Sequence, residues 1–392
     1  MPASDGPAPE TSRPEPGYLA GLDGIRGIAI LLVLLYHSAP VVGIRPSALG
    51  PLLPFVRMGW AGVDIFFALS GFLITTLLLR EEQRFGRFSL KRFYARRALR
   101  ILPPFYFCLF LFFVVFGRFD LFTSVGLPRV LGEVSPWTPV AVASFLTNYA
   151  IAYWEPVSLG GAIHIFWSLC VEEHFYLAWP LALTLLRSPR SRLRVAVLLC
   201  VAVCALRLAA TTFRLDPPGV VHIVTHYRLD SILWGAVVAL LRPRLAEFPW
   251  GRRALLAAAW AATLALVAAG SLSSSPTPLG HSLGLSLLAL ASGLSVLEVV
   301  EAGARSPVVR LLELAPLAAV GRVSYEMYLL HSPALDLGRM LLLRAGPGEH
   351  TLLRFLELAF LLAALAWAFA WAAHEAVGRP ALRLKGRWSA AR

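Results

Sequence analysis

The chain has 392 residues, of which 57% are hydrophobic and only 15% are charged, and its mean hydropathy is +0.67. These values exclude an ordinary soluble domain and indicate a polytopic membrane protein. The formal net charge of +13 would suggest nucleic-acid binding in a soluble protein. In a membrane protein, basic residues usually mark cytoplasmic loops, so we expect no nucleic-acid partner.

The N-terminal stretch 1–17 is proline-rich and almost without apolar residues, which predicts a disordered tail. It lacks the basic region of a signal peptide, and the apolar run that follows is too long for one. We therefore expect that run to remain in the membrane as the first helix.

Ten apolar segments are long enough to cross roughly 30 Å of hydrocarbon at about 1.5 Å per residue. Their approximate limits are 24–43, 59–80, 101–119, 165–187, 195–213, 227–241, 254–270, 279–300, 316–343 and 354–377. Residues 138–153 are apolar but short, which predicts a re-entrant or interfacial helix. The sequence thus predicts an all-α polytopic membrane protein, a bundle of about ten transmembrane helices.

Positive charge is unevenly distributed between the connections. The connection 80–100 carries eight basic residues: Arg80, Arg84, Arg87, Lys91, Arg92, Arg96, Arg97 and Arg100. The loops 187–194 and 242–253 carry four arginines each, whereas the connections on the opposite side carry about two each. This asymmetry predicts that both termini, including a basic tail at 381–392, lie in the cytoplasm. The protein is then a multi-pass protein of the cell membrane, the inner one in a Gram-negative source, with residues 18–380 forming the membrane domain.

Common soluble-enzyme motifs are absent from the sequence. It has no glycine-rich phosphate loop, no HExxH, no GxSxG and no visible repeat. The four cysteines fall in predicted spans without metal-ligand spacing, so we expect them to fill apolar space and expect no metal site. Any chemistry must come from polar residues inside the bundle.

The first predicted span carries an arginine and a histidine on one face. Arg26 and His37 are eleven residues apart in GLDGIRGIAILLVLLYHSAP, which is three helical turns plus roughly 20° and about 16 Å of depth. Asp23 is placed to cap this helix or to pair with Arg26. Anchoring of the helix end is the simpler interpretation of Arg26, but ionisable residues within a membrane are usually functional.

Polar side chains also interrupt four later spans. They are Asp64 and Ser70 in the second span, His164, Ser168, Glu172 and Tyr176 in the fourth, Arg228 and Asp230 in the sixth, and Ser324, Tyr325, Tyr328 and His331 in the ninth. An interfacial cap is the simpler account of Asp64, and an interfacial ion pair is that of Arg228 with Asp230. Together these residues predict a polar cavity in the outer half of the bundle, with a basic cytoplasmic mouth.

Six motifs follow one another along the chain: Arg26 and His37 with ten residues between them, GVDIFFALSGFLIT, LKRFYARRALRILPPFY, WSLCVEEHFYLAWP, RLDSILWG and SYEMYLLH. In this order the sequence resembles acyltransferase family 3, integral membrane proteins that move acyl groups, commonly acetyl, to hydroxyls of sugars, lipids and secondary metabolites. The resemblance covers almost all of the chain after residue 17. It departs at His174, where members more often have glutamine, and at Cys170, where Ser or Ala is more usual.

The resemblance implies an acyl-CoA donor, with acetyl-CoA expected first, that approaches from the cytoplasm, and it implies no bound cofactor. Guanidinium groups bind phosphate through directional, charge-assisted hydrogen bonds. The candidate donor-binding residues are Arg26, Lys91, Arg92, Arg96 and Arg97. Membrane topology alone would also place the loop residues there.

For the mechanism we hypothesise that His37 is the general base for the acceptor hydroxyl, because its ordinary pKa near 6.5 suits that task. Glu172 or Asp64 is then expected to orient the imidazole. The candidate substrate-binding residues are Tyr325, Tyr328, His331, Ser168, His164 and Asp230. A transient acyl-histidine or acyl-serine stays open.

The expected acceptor is a cell-surface glycan or its lipid-linked precursor, and the alternative is a hydrophobic secondary metabolite or glycolipid. Some family members carry an extracytoplasmic esterase-like domain. None follows the tenth span here, so we expect the acceptor to reach the membrane cavity itself or to use a separate partner. A different class, a transporter with a polar intramembrane cavity, stays open, although the lack of visible duplicated halves argues against it.

Overall fold

The computed structural model describes residues 19–116, 137–154, 161–270, 272, 277–345 and 351–389. Every regular element in these ranges is helical. The predicted disordered tail at 1–17 lies outside the described residues, and so does the end of the basic tail at 390–392.

Within the described ranges, ten α-helices have at least 18 residues. They are α1 (Leu22–Val42), α2 (Ala61–Phe85), α3 (Leu90–Phe110), α4 (Trp167–Leu185), α5 (Pro189–Thr212), α6 (Thr225–Glu247), α7 (Pro249–Ala268), α8 (Leu285–Ala302), α9 (Ser324–Ala345) and α10 (Leu352–Ala373). Three π-helical turns adjoin them, at Leu111–Phe116, Gly280–Gly284 and His374–Gly378.

Short helices connect the long ones. They are Pro46–Leu49, Leu53–Arg57, Thr138–Ala143, Thr147–Tyr153, Gly161–His164, Pro218–Ile223, Pro307–Leu312, Ala315–Arg322 and Arg379–Ser389, with a 3-10 turn at Gly50–Leu52.

Seven helices in the described part of the chain are long and apolar enough to cross a membrane. They are built on α1, α2, α3, α5, α7, α8 and α10. The other three long helices, α4, α6 and α9, carry six of the predicted site residues: Ser168, Glu172, Asp230, Tyr325, Tyr328 and His331. The described part of the chain is therefore all-helical with several apolar membrane helices, while the number of about ten crossings and the location of the termini stay predictions.

Several predicted helix limits differ from the structure. Helix α3 begins at Leu90 rather than near 101, because the Ser89 side chain accepts a hydrogen bond from the backbone N–H of Arg92 and caps the helix. The predicted ninth segment, 316–343, is divided between Ala315–Arg322 and α9. The short apolar stretch 138–153 forms two helices separated at Phe145, whose φ is 56°.

Helices α2 and α6 cross at almost backbone contact. A Cβ atom placed on Gly71 of α2 would lie 1.9 Å from the carbonyl oxygen of Ile232, and one on Gly235 of α6 would lie 2.0 Å from that of Ala68. Only residues without a Cβ permit this approach, which is a common way to pack helices in a membrane. The crossing places Asp64 and Ser70 of α2 beside the core of the bundle.

Candidate active site

A cavity of about 410 Å³ lies between α1, α2, α3, α4 and α9. Its polar lining consists of Asp23, Arg26, Ser70, Arg97, Arg100, Ser168, Glu172, Tyr176, Ser324, Tyr325 and Tyr328. Six of the predicted site residues, from four different helices, are thus brought together: Arg26, Arg97, Ser168, Glu172, Tyr325 and Tyr328.

Three arginines line one part of this cavity, which we call the basic end. Arg26 lies on the first turns of α1 and donates a 2.6 Å hydrogen bond to Asp23. Arg97 and Arg100 are one turn apart on α3 and therefore share a helix face. The basic end is a concentrated positive site that an anionic group can enter.

The remaining predicted donor-binding residues lie outside the cavity lining. Arg96 donates a 3.0 Å hydrogen bond to Glu81, Lys91 is exposed, and Arg92 is half-buried. Successive residues on a helix point about 100° apart, so α3 directs Arg96 away from the face that carries Arg97. Helical phase, not charge alone, selects which basic residues reach the cavity.

Glu172 belongs to a hydrogen-bonded chain in the cavity wall. The Ser70 hydroxyl donates to Glu172 Oε1 at 2.9 Å, and the Tyr176 hydroxyl donates to Ser70 Oγ at 3.0 Å. The Arg97 guanidinium lies 5.0 Å from the centre of the Tyr176 ring, within cation–π range. The chain couples the carboxylate of α4 to the basic end through neutral hydroxyls.

Ser168 and Tyr328 lie next to each other in a buried part of the cavity lining. Their hydroxyl oxygens are 2.6 Å apart, and Tyr328 also donates to the carbonyl oxygen of Ile165 at 2.9 Å. Ser168 Oγ also lies 3.4 Å from that carbonyl oxygen, so either hydroxyl can donate to the other while the other donates to Ile165. Tyr325, on the same helix, donates to the carbonyl oxygen of Ile101 at 3.1 Å and ties α9 to α3.

His37 and His331 form a pair next to Tyr328. The His37 and His331 ring centres are 5.0 Å apart, and the Tyr328 ring centre is 5.5 Å from that of His331. His37 is half-buried and His331 is fully buried. A continuous series of polar side chains thus leads from the cavity through Ser168, Tyr328 and His331 to His37.

Asp64 and Asp230 each form a buried ion pair. Arg228 Nη2 lies 2.8 Å from Asp64 Oδ1, and Arg207 makes two 2.8 Å hydrogen bonds to the carboxylate of Asp230. Arg228 therefore pairs with a residue of α2 and not with Asp230, two positions along its own helix. The predicted pair of Arg228 with Asp230 is therefore wrong, since the two residues bind different partners.

Three further histidines, His164, His222 and His281, lie in the same part of the bundle. His164 is exposed, at the end of the short helix Gly161–His164. His222 packs against Trp60 and Trp167 at 5.5 Å between ring centres and against His281 at 5.8 Å. Burial, reinforced by the positive charge of Arg228, lowers the pKa of His222 well below its ordinary value. His222 is therefore a neutral imidazole at physiological pH.

Several site residues had a weaker signal in the sequence. Arg100 was one of eight basic residues in a connection, and only its helical phase relative to Arg97 distinguishes it. Arg207, His222 and His281 lack a neighbouring motif of their own. Among the described residues, no group of three or more His, Cys, Asp or Glu side chains could hold a metal ion.

Comparison with known proteins extends these observations. The model of acyltransferase family 3, described as an acyltransferase domain, matches residues 19–373. The O-acetyltransferase OatA of Staphylococcus aureus strain NCTC 8325 / PS 47 is 30% identical over 238 residues, which are 59% of this chain and 36% of the relative. OatA of S. aureus strain COL gives the same values.

The chain thus spans about a third of the length of these curated relatives. No solved structure matches the chain.

Proposed function

Because the chain belongs to acyltransferase family 3, we propose that it is an O-acetyltransferase of the cell membrane. In this proposal it moves the acetyl group of acetyl-CoA to a hydroxyl of a cell-surface glycan or of its lipid-linked precursor. The names of the OatA relatives support the transfer of acetyl to oxygen. The excess of basic residues in 80–100 supports a cytoplasmic position for the basic end and for both termini.

The observation that carries this proposal is a cavity lined by three arginines and by several hydroxyl side chains, one of which, on Tyr328, lies beside the His37–His331 pair outside the lining. Coenzyme A carries several phosphate charges, which suit the guanidinium groups of Arg26, Arg97 and Arg100. The acyl end of the donor then extends along the cavity toward Ser168 and Tyr328. Charge at one end and neutral donors at the other match a ligand that is anionic at one end only.

His37 is assigned as the general base. Its Nδ1 lies 2.8 Å from the carbonyl oxygen of Val33, and a carbonyl only accepts, so Nδ1 carries the hydrogen and Nε2 has a free lone pair. His37 Nε2 takes the hydroxyl proton while the acceptor oxygen forms a bond to the thioester carbonyl carbon. Collapse of the tetrahedral intermediate breaks the C–S bond, and the proton passes to the departing thiolate of coenzyme A.

The two carboxylates act at a distance from this step. The hydrogen bond to Val33 orients the His37 ring, so we assign Glu172 to the Ser70–Tyr176–Arg97 side of the cavity and Asp64 to the retention of Arg228. Both are positioning residues in this proposal. Tyr328 and Ser168 are assigned to the acyl carbonyl, because their hydroxyls lie in the lining beside the histidine pair, and the hydroxyl that donates to Ile165 turns its hydrogen to the carbonyl oxygen when the donor binds.

Transfer of labelled acetyl tests the proposal. Membranes that contain the wild-type protein, His37→Gln or His226→Gln at matched levels are incubated with isotope-labelled acetyl-CoA, and label in lipids and glycans is measured. We expect His37→Gln to lose at least about 100-fold in rate, since removal of a general base typically costs that much. His226, whose Nδ1 lies 3.4 Å from the Tyr149 hydroxyl, is the matched control and should retain transfer.

Near-normal transfer by His37→Gln would contradict the base assignment. Movement of a labelled glycan precursor across the membrane, without ester formation in any variant, would instead favour the transporter. Label in a hydrophobic metabolite or glycolipid fraction would keep the reaction and replace the acceptor.

A further inference from the structure

The hydrogens on both histidines of the His37–His331 pair are fixed by the main chain. His331 Nδ1 lies 2.7 Å from the carbonyl oxygen of Tyr328, as His37 Nδ1 lies 2.8 Å from that of Val33. A carbonyl oxygen cannot donate, so each neutral ring carries its hydrogen on Nδ1. Each Nε2 is consequently a hydrogen-bond acceptor, and neither can donate.

His331 Nε2 is buried and has no hydrogen-bond partner among the described residues. The whole residue is 0% exposed. A buried acceptor without a donor is unfavourable, and such groups in folded proteins call for an explanation. The missing partner must be a donor, which rules out an isolated carbonyl or an unprotonated phosphate oxygen as the group that it binds.

The spacing of the pair points to two donors held side by side. With ring centres 5.0 Å apart, the two imidazoles lie close enough for one compact group with two neighbouring hydroxyls to contact both rings. We propose that His331 accepts a hydrogen bond from a second hydroxyl of the acceptor, adjacent to the hydroxyl whose proton His37 removes. His331 is then a specificity-determining residue for a vicinal diol, such as two adjacent hydroxyls of a pyranose ring.

This inference rests on the proposed acyl transfer, and the second hydroxyl is not consumed in it. The attacked oxygen gains the acyl carbon and gives its proton to His37, the C–S bond breaks, and coenzyme A leaves as its thiol. The neighbouring hydroxyl keeps its hydrogen, which stays shared with His331 Nε2. An acceptor with a single hydroxyl offers that nitrogen no donor.

The test compares two acceptors in the same membranes. trans-Cyclohexane-1,2-diol and cyclohexanol are offered with labelled acetyl-CoA to the wild type, His331→Phe, His331→Gln and His226→Gln, and kcat/KM for ester formation is measured for each. We expect the wild type and His226→Gln to prefer the diol about tenfold or more, because a site that pairs with a hydroxyl discriminates against its absence. His331→Phe should lower this preference to about two, the statistical factor for two equivalent hydroxyls, and His331→Gln, which keeps an acceptor oxygen, should retain part of it.

The preference is a ratio within one preparation, so the amount of folded protein cancels. A wild-type preference of about two, or an unchanged preference in His331→Phe, would overturn the role of His331 and leave the acyl transfer standing. If the wild type esterifies neither probe while it still consumes acetyl-CoA on membrane glycans, the diol assignment fails. If it transfers acetyl to nothing, the proposed function fails with it.

Discussion

Arg228 of α6 pairs with Asp64 of α2, with Nη2 and Oδ1 2.8 Å apart and both side chains fully buried. The guanidinium also lies 5.8 Å from the ring centre of Phe67 and 5.7 Å from that of Trp167. Phe67 lines the cavity, so this ion pair is located directly behind a cavity wall. Its role is to hold two helices and an aromatic wall in place.

Removal of one partner of this pair should destabilise the protein. Asp64→Asn leaves the Arg228 charge buried without a counter-ion, which typically costs about 3–5 kcal/mol. We expect a lower melting temperature and a lower yield of monodisperse protein in detergent. The double variant Asp64→Leu with Arg228→Leu should recover most of the loss.

The exposed pair of Arg354 with Glu357 provides the control. Its atoms are 3.2 Å apart and both side chains are about half exposed. Glu357→Gln should change stability by no more than about 1 kcal/mol, since exposed ion pairs contribute little. Equal melting temperatures for Asp64→Asn and Glu357→Gln would show that the buried pair has no structural role.

Gly71→Ala should separate α2 from α6. Its Cβ would lie 1.9 Å from the carbonyl oxygen of Ile232, and main-chain atoms cannot give way as a flexible side chain does. Loss of folded protein is expected, measured as the monodisperse fraction after solubilisation. Gly219→Ala has no atom within 4 Å of the added carbon and should behave as the wild type. Similar yields for both variants would disprove the close crossing.

Arg97→Gln should raise the KM for acetyl-CoA about tenfold or more. The arginine lines the basic end, and a lost charge-assisted hydrogen bond typically costs about 1.5–3 kcal/mol. Arg87→Gln is the matched control, because Arg87 is exposed and lies outside the cavity lining. An equal rise in KM for both variants would indicate a diffuse surface effect in place of a specific phosphate site.

Tyr176 should support the binding of acetyl-CoA through both its ring and its hydroxyl. Tyr176→Phe removes the hydrogen bond to Ser70 and keeps the ring under Arg97, whereas Tyr176→Leu removes both. We expect about a threefold rise in the KM for acetyl-CoA for Phe and about tenfold for Leu, from about 0.5–1 kcal/mol per interaction. Steady-state kinetics measure the two KM values. A larger rise for Tyr176→Phe than for Tyr176→Leu would contradict a contribution from the ring.

Helical periodicity made much of the architecture accessible from sequence. The apolar segments correspond to long helices because a membrane segment must satisfy its own backbone hydrogen bonds. Polar stripes at i, i+3 and i+4 spacing placed Ser168 and Glu172 on one face of α4, and both line the cavity. The start of α3 differs from the prediction because the cap at Ser89, and not the run of basic residues, sets where the helix begins.

Pairing between helices could not be read in the same way. Arg228 and Asp230 are two residues apart on one helix, so their side chains point in different directions and bind Asp64 and Arg207 on different neighbours. Likewise, the separation of Arg96 from Arg97 depends on how α3 is rotated toward the bundle. Periodicity gives the face of a helix, but the choice of neighbour depends on packing between residues distant in sequence.

The Nδ1 bonds of His37 and His331 have a consequence for the entropy of binding. Each ring is held by the main chain of its own helix before any ligand is present. An alcohol that arrives therefore meets two imidazoles whose rotation is already restricted, and ordering them takes no share of its binding free energy. The conformational cost of ordering the two rings falls on the folding of α1 and α9. The pair of hydrogen-bond acceptors is therefore preorganised before the alcohol binds.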